Sequence, residues 1–166
     1  MAFAKKYILS KEVAEKKLRR MALEIIENNS GEKQLILAGI RERGAVVAKC
    51  IQKMLAEFSS FKTELIHIKM DKHKPGAVTL SKKNDLNGKV VIVIDDVADS
   101  GRTLLYSLKP FLDFHPKKIQ TLVLVERSHN SFPVRPDYVG LSVSTTLQEH
   151  IYVEVDKEKV LGAYLK

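Results

Sequence analysis

The sequence predicts an α/β protein: a parallel sheet flanked by helices on both faces, with a small irregular cap late in the chain. Three observations carry that expectation. Apolar runs of strand length, QLILAGI at 34–40 and VVIVI at 90–94, read as buried strands. They alternate with segments whose apolar residues recur at helical spacing, and strand–helix–strand occurring twice argues for parallel connections. Beyond residue 127 the rhythm breaks: SHNSFPVRPDYVG is irregular, and only short strand-like pieces, LSVS and IYVEV, follow.

Ser10 can cap a first helix, with Glu12 in its first turn. Val13, Ala14, Leu18, Met21, Ala22, Ile25 and Ile26 give that helix one apolar face, and Asn28-Asn29-Ser30-Gly31 ends it. The strand Gln34 to Ile40 runs into a polar turn, Arg41-Glu42-Arg43-Gly44, before a second helix over 45–58. Residues 63–70 suit a strand. Residues 71–88 have no sustained period and carry Pro, Gly and Asn-Gly punctuation, so most of them read as loop. The run at 90–94 is a strand, LLYSLKPFL is helix-like, and 119–125 is a further strand.

A chain of 166 residues suits one domain with a full core. No apolar run approaches the roughly 20 residues that span a bilayer, and MAFAKKYILSKEV has no signal-peptide core, so the cytoplasm is the expected location. The single cysteine, Cys50, shares a helical face with Val47, Met54 and Phe58 and reads as a core thiol. The five histidines show no ligand spacing, so no transition-metal site is expected. A net charge of +8 suits polyanionic ligands such as diphosphates and equally RNA, but the lysines are spread along the chain and charge alone selects neither.

The chemistry concentrates in residues 90–103, VVIVIDDVADSGRT. A buried strand ends in two carboxylates, Asp95 and Asp96, followed by the turn Asp99-Ser100-Gly101-Arg102-Thr103 and a helix. Open α/β sheets bind ligands beyond the carboxyl ends of their strands. A glycine-bearing turn offers backbone N–H groups to a phosphate. Carboxylates just before it can accept from sugar hydroxyls or hold Mg²⁺ through water. Phosphate, sugar and metal in that order describe a phosphorylated ribose. A strand-end carboxylate can also simply cap local N–H groups, a use open to Asp95.

The strand followed by Asp-Asp-x-x-x-Ser-Gly-x-Thr resembles the phosphoribosyl pyrophosphate (PRPP) signature of type I phosphoribosyltransferases. With LILAGIRERG, the Ile-Glu-Asn-Asn helix ending and TLVLVERSHNSFPVRPDYVG, most of the chain is similar to the PyrR family. That family joins regulation of pyrimidine genes through RNA binding to uracil phosphoribosyltransferase activity. The resemblance implies a single type I phosphoribosyltransferase domain over 1–166, with a base-covering hood at about 127–150 and a shortened lid at about 70–88. It implies Asp95 and Asp96 at the ribose hydroxyls and Mg²⁺, and Asp99, Ser100, Gly101, Arg102 and Thr103 at the 5′-phosphate. The pyrophosphate loop would be Arg41, Glu42, Arg43 and Gly44, a loop that often holds a strained non-proline cis peptide in this superfamily. At the base it implies Arg127, Tyr138 and Val139. Homo-oligomers, dimeric or larger, are also implied.

The lid departs from the family pattern. Where relatives carry Tyr-Arg-Asp-Asp, this chain has Asp71-Lys72-His73-Lys74, and Lys72 keeps the charge of the expected catalytic arginine without its fork. Lid closure normally excludes water and completes a diphosphate site. The leading expectation is therefore Mg²⁺-dependent transfer of phosphoribose from PRPP to a nucleobase, uracil first. The alternative is a nucleotide-sensing RNA-binding regulator with weak catalysis, for which Lys16, Arg19 and Arg20 are candidate contacts. A phosphoacceptor receiver is disfavoured, because its acidic pair would follow the first strand of the sheet.

Overall fold

The computed structural model describes residues 4–71, 73–74, 76–82 and 84–166. In chain order the elements are β1 (Lys6–Leu9), α1 (Lys11–Asn28), β2 (Gln34–Ile40), α2 (Arg41–Phe58), β3 (Lys62–Lys69), β4 (Thr79–Leu80) and β5 (Val90–Ala98). They continue with α3 (Arg102–Ser107), a 3₁₀ turn (Lys109–Phe111), β6 (Lys118–Arg127), β7 (Tyr138–Val143), β8 (Ile151–Asp156) and β9 (Lys159–Leu165). The main sheet has the order β4-β3-β2-β5-β6-β7, parallel except for the short antiparallel edge strand β4. The chain runs outward from β2 through β3 on one side and from β5 through β6 and β7 on the other. The crevice between the carboxyl ends of β2 and β5 is thus the topological switch point, where open α/β sheets bind ligands.

The near-continuous apolar strands are buried on both faces, as parallel strands are. One core lies between the sheet and α1 and α2, with Leu18, Met21 and Ile25 meeting Val47, Ile51 and Leu55. The other lies under α3 and the 3₁₀ turn, around Leu104 and Phe111, and Leu86 from the stretch read as loop is fully buried in it. The Ser10 side chain accepts from the Val13 N–H as the sequence suggests. Asn29, 2% exposed, ends α1 and donates from Nδ2 to Ile25 O and Gln120 Oε1, tying the helix end to β6.

Three expectations change. Arg41-Glu42-Arg43-Gly44 is not a turn: α2 starts at Arg41, directly after β2. The described residues of 71–88 are mostly irregular, as read, apart from the two-residue β4, which pairs back on β3 through Ile68↔Leu80 and Lys69↔Thr79. The helix in LLYSLKPFL stops at Ser107, and Pro110, which has no N–H to donate, sits in the 3₁₀ turn. The hood is also bounded differently. Residues 138–143 are β7 of the main sheet, while β1, β9 and β8 form a separate antiparallel sheet. Leu9, Val153, Val160 and Ala163 of that sheet share the α1/α2 core, so the cap is built from both ends of the chain.

Candidate functional site

The passage from β2 into α2 is the tightest place in the backbone. A Cβ on Gly39 would lie 2.7 Å from Ala45 Cα, and one on Gly44 would lie 2.8 Å from Ile94 O and 3.2 Å from Asp95 Oδ1. These glycines let the first turn of α2 press against the end of β5, beside the acidic pair. Gly44 therefore serves close packing at the start of α2. No peptide among the described residues is cis; the strained residue here is Arg41, left-handed at φ 51°. Arg41, Glu42 and Arg43 are exposed. Arg41 and Glu42 line a 460 Å³ concavity with Ala45, His67, Ile68, Lys69 and Met70. At its rim the Asp71 carboxyl is held below the usual carboxylate range, first by hydrogen bonds from the His73 and Lys74 amides and also by the Arg41 charge. Lys72 lies outside the described residues.

Asp95 is fully buried and Asp96 is 4% exposed. Asp95 Oδ1 accepts from the Asp96 N–H at 2.9 Å, the local capping use noted above. Consecutive strand residues project to opposite faces, so the two carboxylates do not grip one ion side by side. Among the described residues no group of three or more His, Cys, Asp or Glu side chains stands ready to hold a metal.

Beyond β5 the turn 99–103, with Val97, Ala98 and Leu104, lines a 270 Å³ cleft. Gly101 has φ 87°, and a Cβ there would lie 3.1 Å from Val134 O and 3.3 Å from Phe132 O. The turn is held by its carbonyls: Ser100 O accepts from the Ser131 and Phe132 amides, and Gly101 O from the Leu105 amide. Among the described residues no acceptor meets the amides of Gly101 or Thr103, which therefore remain available to an anion, whereas the Arg102 N–H donates to Ser100 Oγ. Arg102 lines the cleft, and its Nη2 donates to His73 O at 3.1 Å, tying the turn to the segment after β3.

The expected base contacts fare differently. Tyr138 is 1% exposed in the α1-side core, with its hydroxyl donating to Gln120 Oε1 and accepting from Asn28 Nδ2, so its ring does not flank a base. Burial pushes its hydroxyl pKa up. Val139 is in β7 opposite Val123, and its carbonyl accepts from Arg20. Arg127 is 6% exposed and also turned to the protein. Its Nη1 donates to Thr146 O and its Nη2 to Glu149 O, while Nε lies 2.6 Å from Asp99 Oδ1. Sequence reasoning missed that pair, although strand register holds its signal: Ala98 pairs with Glu126 in parallel, which puts Asp99 level with Arg127.

Buried carboxylates and an amide-bearing turn at the switch point of a parallel sheet, capped by a second small sheet, define a phosphoribosyltransferase architecture. The chain matches the phosphoribosyl transferase domain over residues 6–158. A curated relative from Macrococcus caseolyticus, "Bifunctional protein PyrR", is 33% identical over 92% of this chain and 93% of its own. The relative of the same name from Alkaliphilus metalliredigens is 34% identical over 92% and 91%. Among solved structures, the hypoxanthine phosphoribosyltransferase of Trypanosoma cruzi superposes with a TM-score of 0.76 at 18% identity, covering 87% of this chain and 85% of that one. A hypoxanthine-guanine phosphoribosyltransferase from Bacillus anthracis gives 0.71 at 23%, covering 83% and 82%; both show the shared fold. The chain belongs to the phosphoribosyltransferase family and, within it, to the PyrR proteins, and it is a phosphoribosyltransferase enzyme. No helix among the described residues is long and apolar enough to cross a membrane.

Proposed function

We propose that the protein transfers phosphoribose from PRPP to uracil with release of pyrophosphate. The observation that carries this reading is the 270 Å³ cleft walled by the turn 99–103, directly beyond the buried carboxylates at the switch point. In the reaction the bond from C1′ to the pyrophosphate oxygen breaks, a bond from the base nitrogen to C1′ forms, and the base N–H proton is lost. Charge builds on the leaving diphosphate while C1′ becomes cation-like, so the protein must hold both ends of the ligand and align the base. The amides of Gly101 and Thr103, with the Ser100 and Thr103 hydroxyls, receive the 5′-phosphate. Asp96 meets the ribose hydroxyls, and Asp95 supports it. Arg41 and Lys69, at the larger concavity, meet the diphosphate.

Mg²⁺ suits this donor set. It keeps most of its coordination from water and ligand oxygens and needs as few as one protein carboxylate, which Asp96 would supply, directly or through water. When bound, it would neutralise the diphosphate as a Lewis acid. A pyrophosphate-release assay with PRPP, Mg²⁺ and a panel of bases tests the reading. Uracil should support turnover best, and the absence of pyrophosphate release with every base tried would defeat the reading.

RNA binding is a second activity, favoured by the +8 net charge and by relatives whose name is bifunctional. Of the α1 candidates, Arg20 is engaged by Glu24 and by the carbonyls of Val139 and Gly140, and Arg19 lies over the Phe58 ring. Lys16 is exposed. Affinity for a pyrimidine-gene leader RNA should fall steeply with salt as counterions are released. Salt-independent or absent binding would rule this activity out. Self-association into dimers or larger assemblies belongs to the same reading, and sedimentation measures it.

A further inference from the structure

The turn 99–103 contains an acidic residue where an anion is to be received. The Asp99 side chain is 60% exposed, and the residue lines the cleft. Left alone, its carboxylate would repel a phosphate ester by ordinary Coulomb interaction. It is not alone: Arg127 Nε lies 2.6 Å from Asp99 Oδ1. The Nε–H is not aimed at that oxygen, so the contact is one of charge rather than a formed hydrogen bond. Because an arginine stays protonated across the accessible pH range, the compensation is permanent.

The rest of the same guanidinium is committed elsewhere. Nη1 donates to Thr146 O at 3.1 Å and Nη2 to Glu149 O at 2.5 Å. Those carbonyls belong to a turn that closes on itself: the Thr146 amide and hydroxyl donate to Glu149 Oε2, and the Glu149 amide donates to Thr146 O. The turn carries Leu147 at its tip, 89% exposed, and leads into β8 of the capping sheet. One buried cation at the end of β6 therefore joins the cleft turn to the capping sheet.

We propose that Arg127 is a positioning residue for phosphate binding: it shields the ligand from the Asp99 carboxylate and locks the Thr146–Glu149 turn, so that the cleft and its cap form one piece. This rests on the assignment of the turn 99–103 to the 5′-phosphate. The shielding part separates Arg127 from a purely structural residue, because it makes the effect of its loss depend on whether Asp99 carries charge.

The test is calorimetric titration of the full-length protein with ribose 5-phosphate, for wild type, R127M, D99N, the double variant R127M/D99N and R127K, each with its melting temperature. R127M should bind at least about ten-fold more weakly, because it leaves the Asp99 charge unopposed beside the anion. D99N should bind roughly three-fold more tightly, since the arginine charge then acts on the ligand alone. The double variant should return to within about three-fold of wild type, and R127K should keep affinity while melting lower, having the charge without the fork. A double variant as weak as R127M overturns the shielding role, whatever its melting temperature. If R127M and the double variant do not fold, D99N and R127K decide, and a D99N no tighter than wild type overturns the proposal. A wild-type protein blind to ribose 5-phosphate defeats the phosphate assignment itself, and the proposal falls with it.

Discussion

The two junctions that meet at the switch point are built on opposite plans. At β2–α2 there is no loop: the helix begins at Arg41, and a Cβ on Gly39 or Gly44 would lie within 2.8 Å of backbone that it would have to displace. At β5–α3 three residues intervene, only Gly101 needs a left-handed φ, and the turn is held from outside by Ser131, Phe132 and Arg127. The first junction is fixed by contact between main chains and leaves its side chains exposed. The second is fixed by polar contacts from a distant part of the chain and leaves amides open to a ligand. One end of the proposed ligand site is thus rigid by sterics, and the other is positioned by charge and hydrogen bonds, so substitutions at the two should fail in different ways.

The largest effect belongs at the steric junction. Gly39→Ala puts a methyl group 2.7 Å from Ala45 Cα, backbone that cannot rotate aside, and should destabilise the fold by about 3 kcal/mol. Denaturant titration measures this, and a loss below about 1 kcal/mol would mean that the junction gives way easily. Gly101→Val, by contrast, should lower stability by only about 1–2 kcal/mol for its left-handed φ. It should nevertheless remove most ribose 5-phosphate binding, because the turn can no longer present its amides. Unchanged affinity in that variant would refute the phosphate assignment. A smaller effect is expected at Asp96→Asn, roughly ten-fold weaker Mg²⁺-dependent PRPP binding with affinity for the base retained. An equal fall in both would point to a folding defect.

The difference between the junctions also explains what the sequence made legible. The β5 strand and its turn are local: a run of β-branched residues, two acids and a glycine turn occupy fourteen consecutive positions, and their order specifies the ligand chemistry without any knowledge of the fold. The β2 strand was equally visible, but GIRERG reads as a polar turn because nothing in the string shows that Gly39 and Gly44 are pressed against Ala45 and Ile94. Contacts between distant segments were invisible for the same reason. Tyr138 looked like a base-flanking aromatic, yet its hydroxyl is satisfied by Asn28 and Gln120, 110 and 18 residues away. β1 escaped notice because a four-residue strand acquires meaning only when β9, at the other end of the chain, pairs with it. Arg127 stands out in the string, but its partners Asp99, Thr146 and Glu149 are not readable there.

The finest probe of the comparison is Arg41, the one residue at the steric junction whose conformation is unfavourable and whose side chain faces a concavity. A left-handed φ of 51° costs a residue with a Cβ about 1–2 kcal/mol relative to a right-handed one, and glycine escapes that penalty while losing more chain entropy on folding. Arg41→Gly should therefore stabilise the protein slightly, by roughly 0.5–1 kcal/mol. The same variant should weaken PRPP more than ribose 5-phosphate, because only the former carries the diphosphate that Arg41 is assigned to meet. A rise in stability together with that selective loss would identify Arg41 as strain retained for binding. A fall in stability would instead mean that its side chain, through the nearby Asp71 charge, holds the left-handed turn in place, making the rigid junction as dependent on electrostatics as the flexible one.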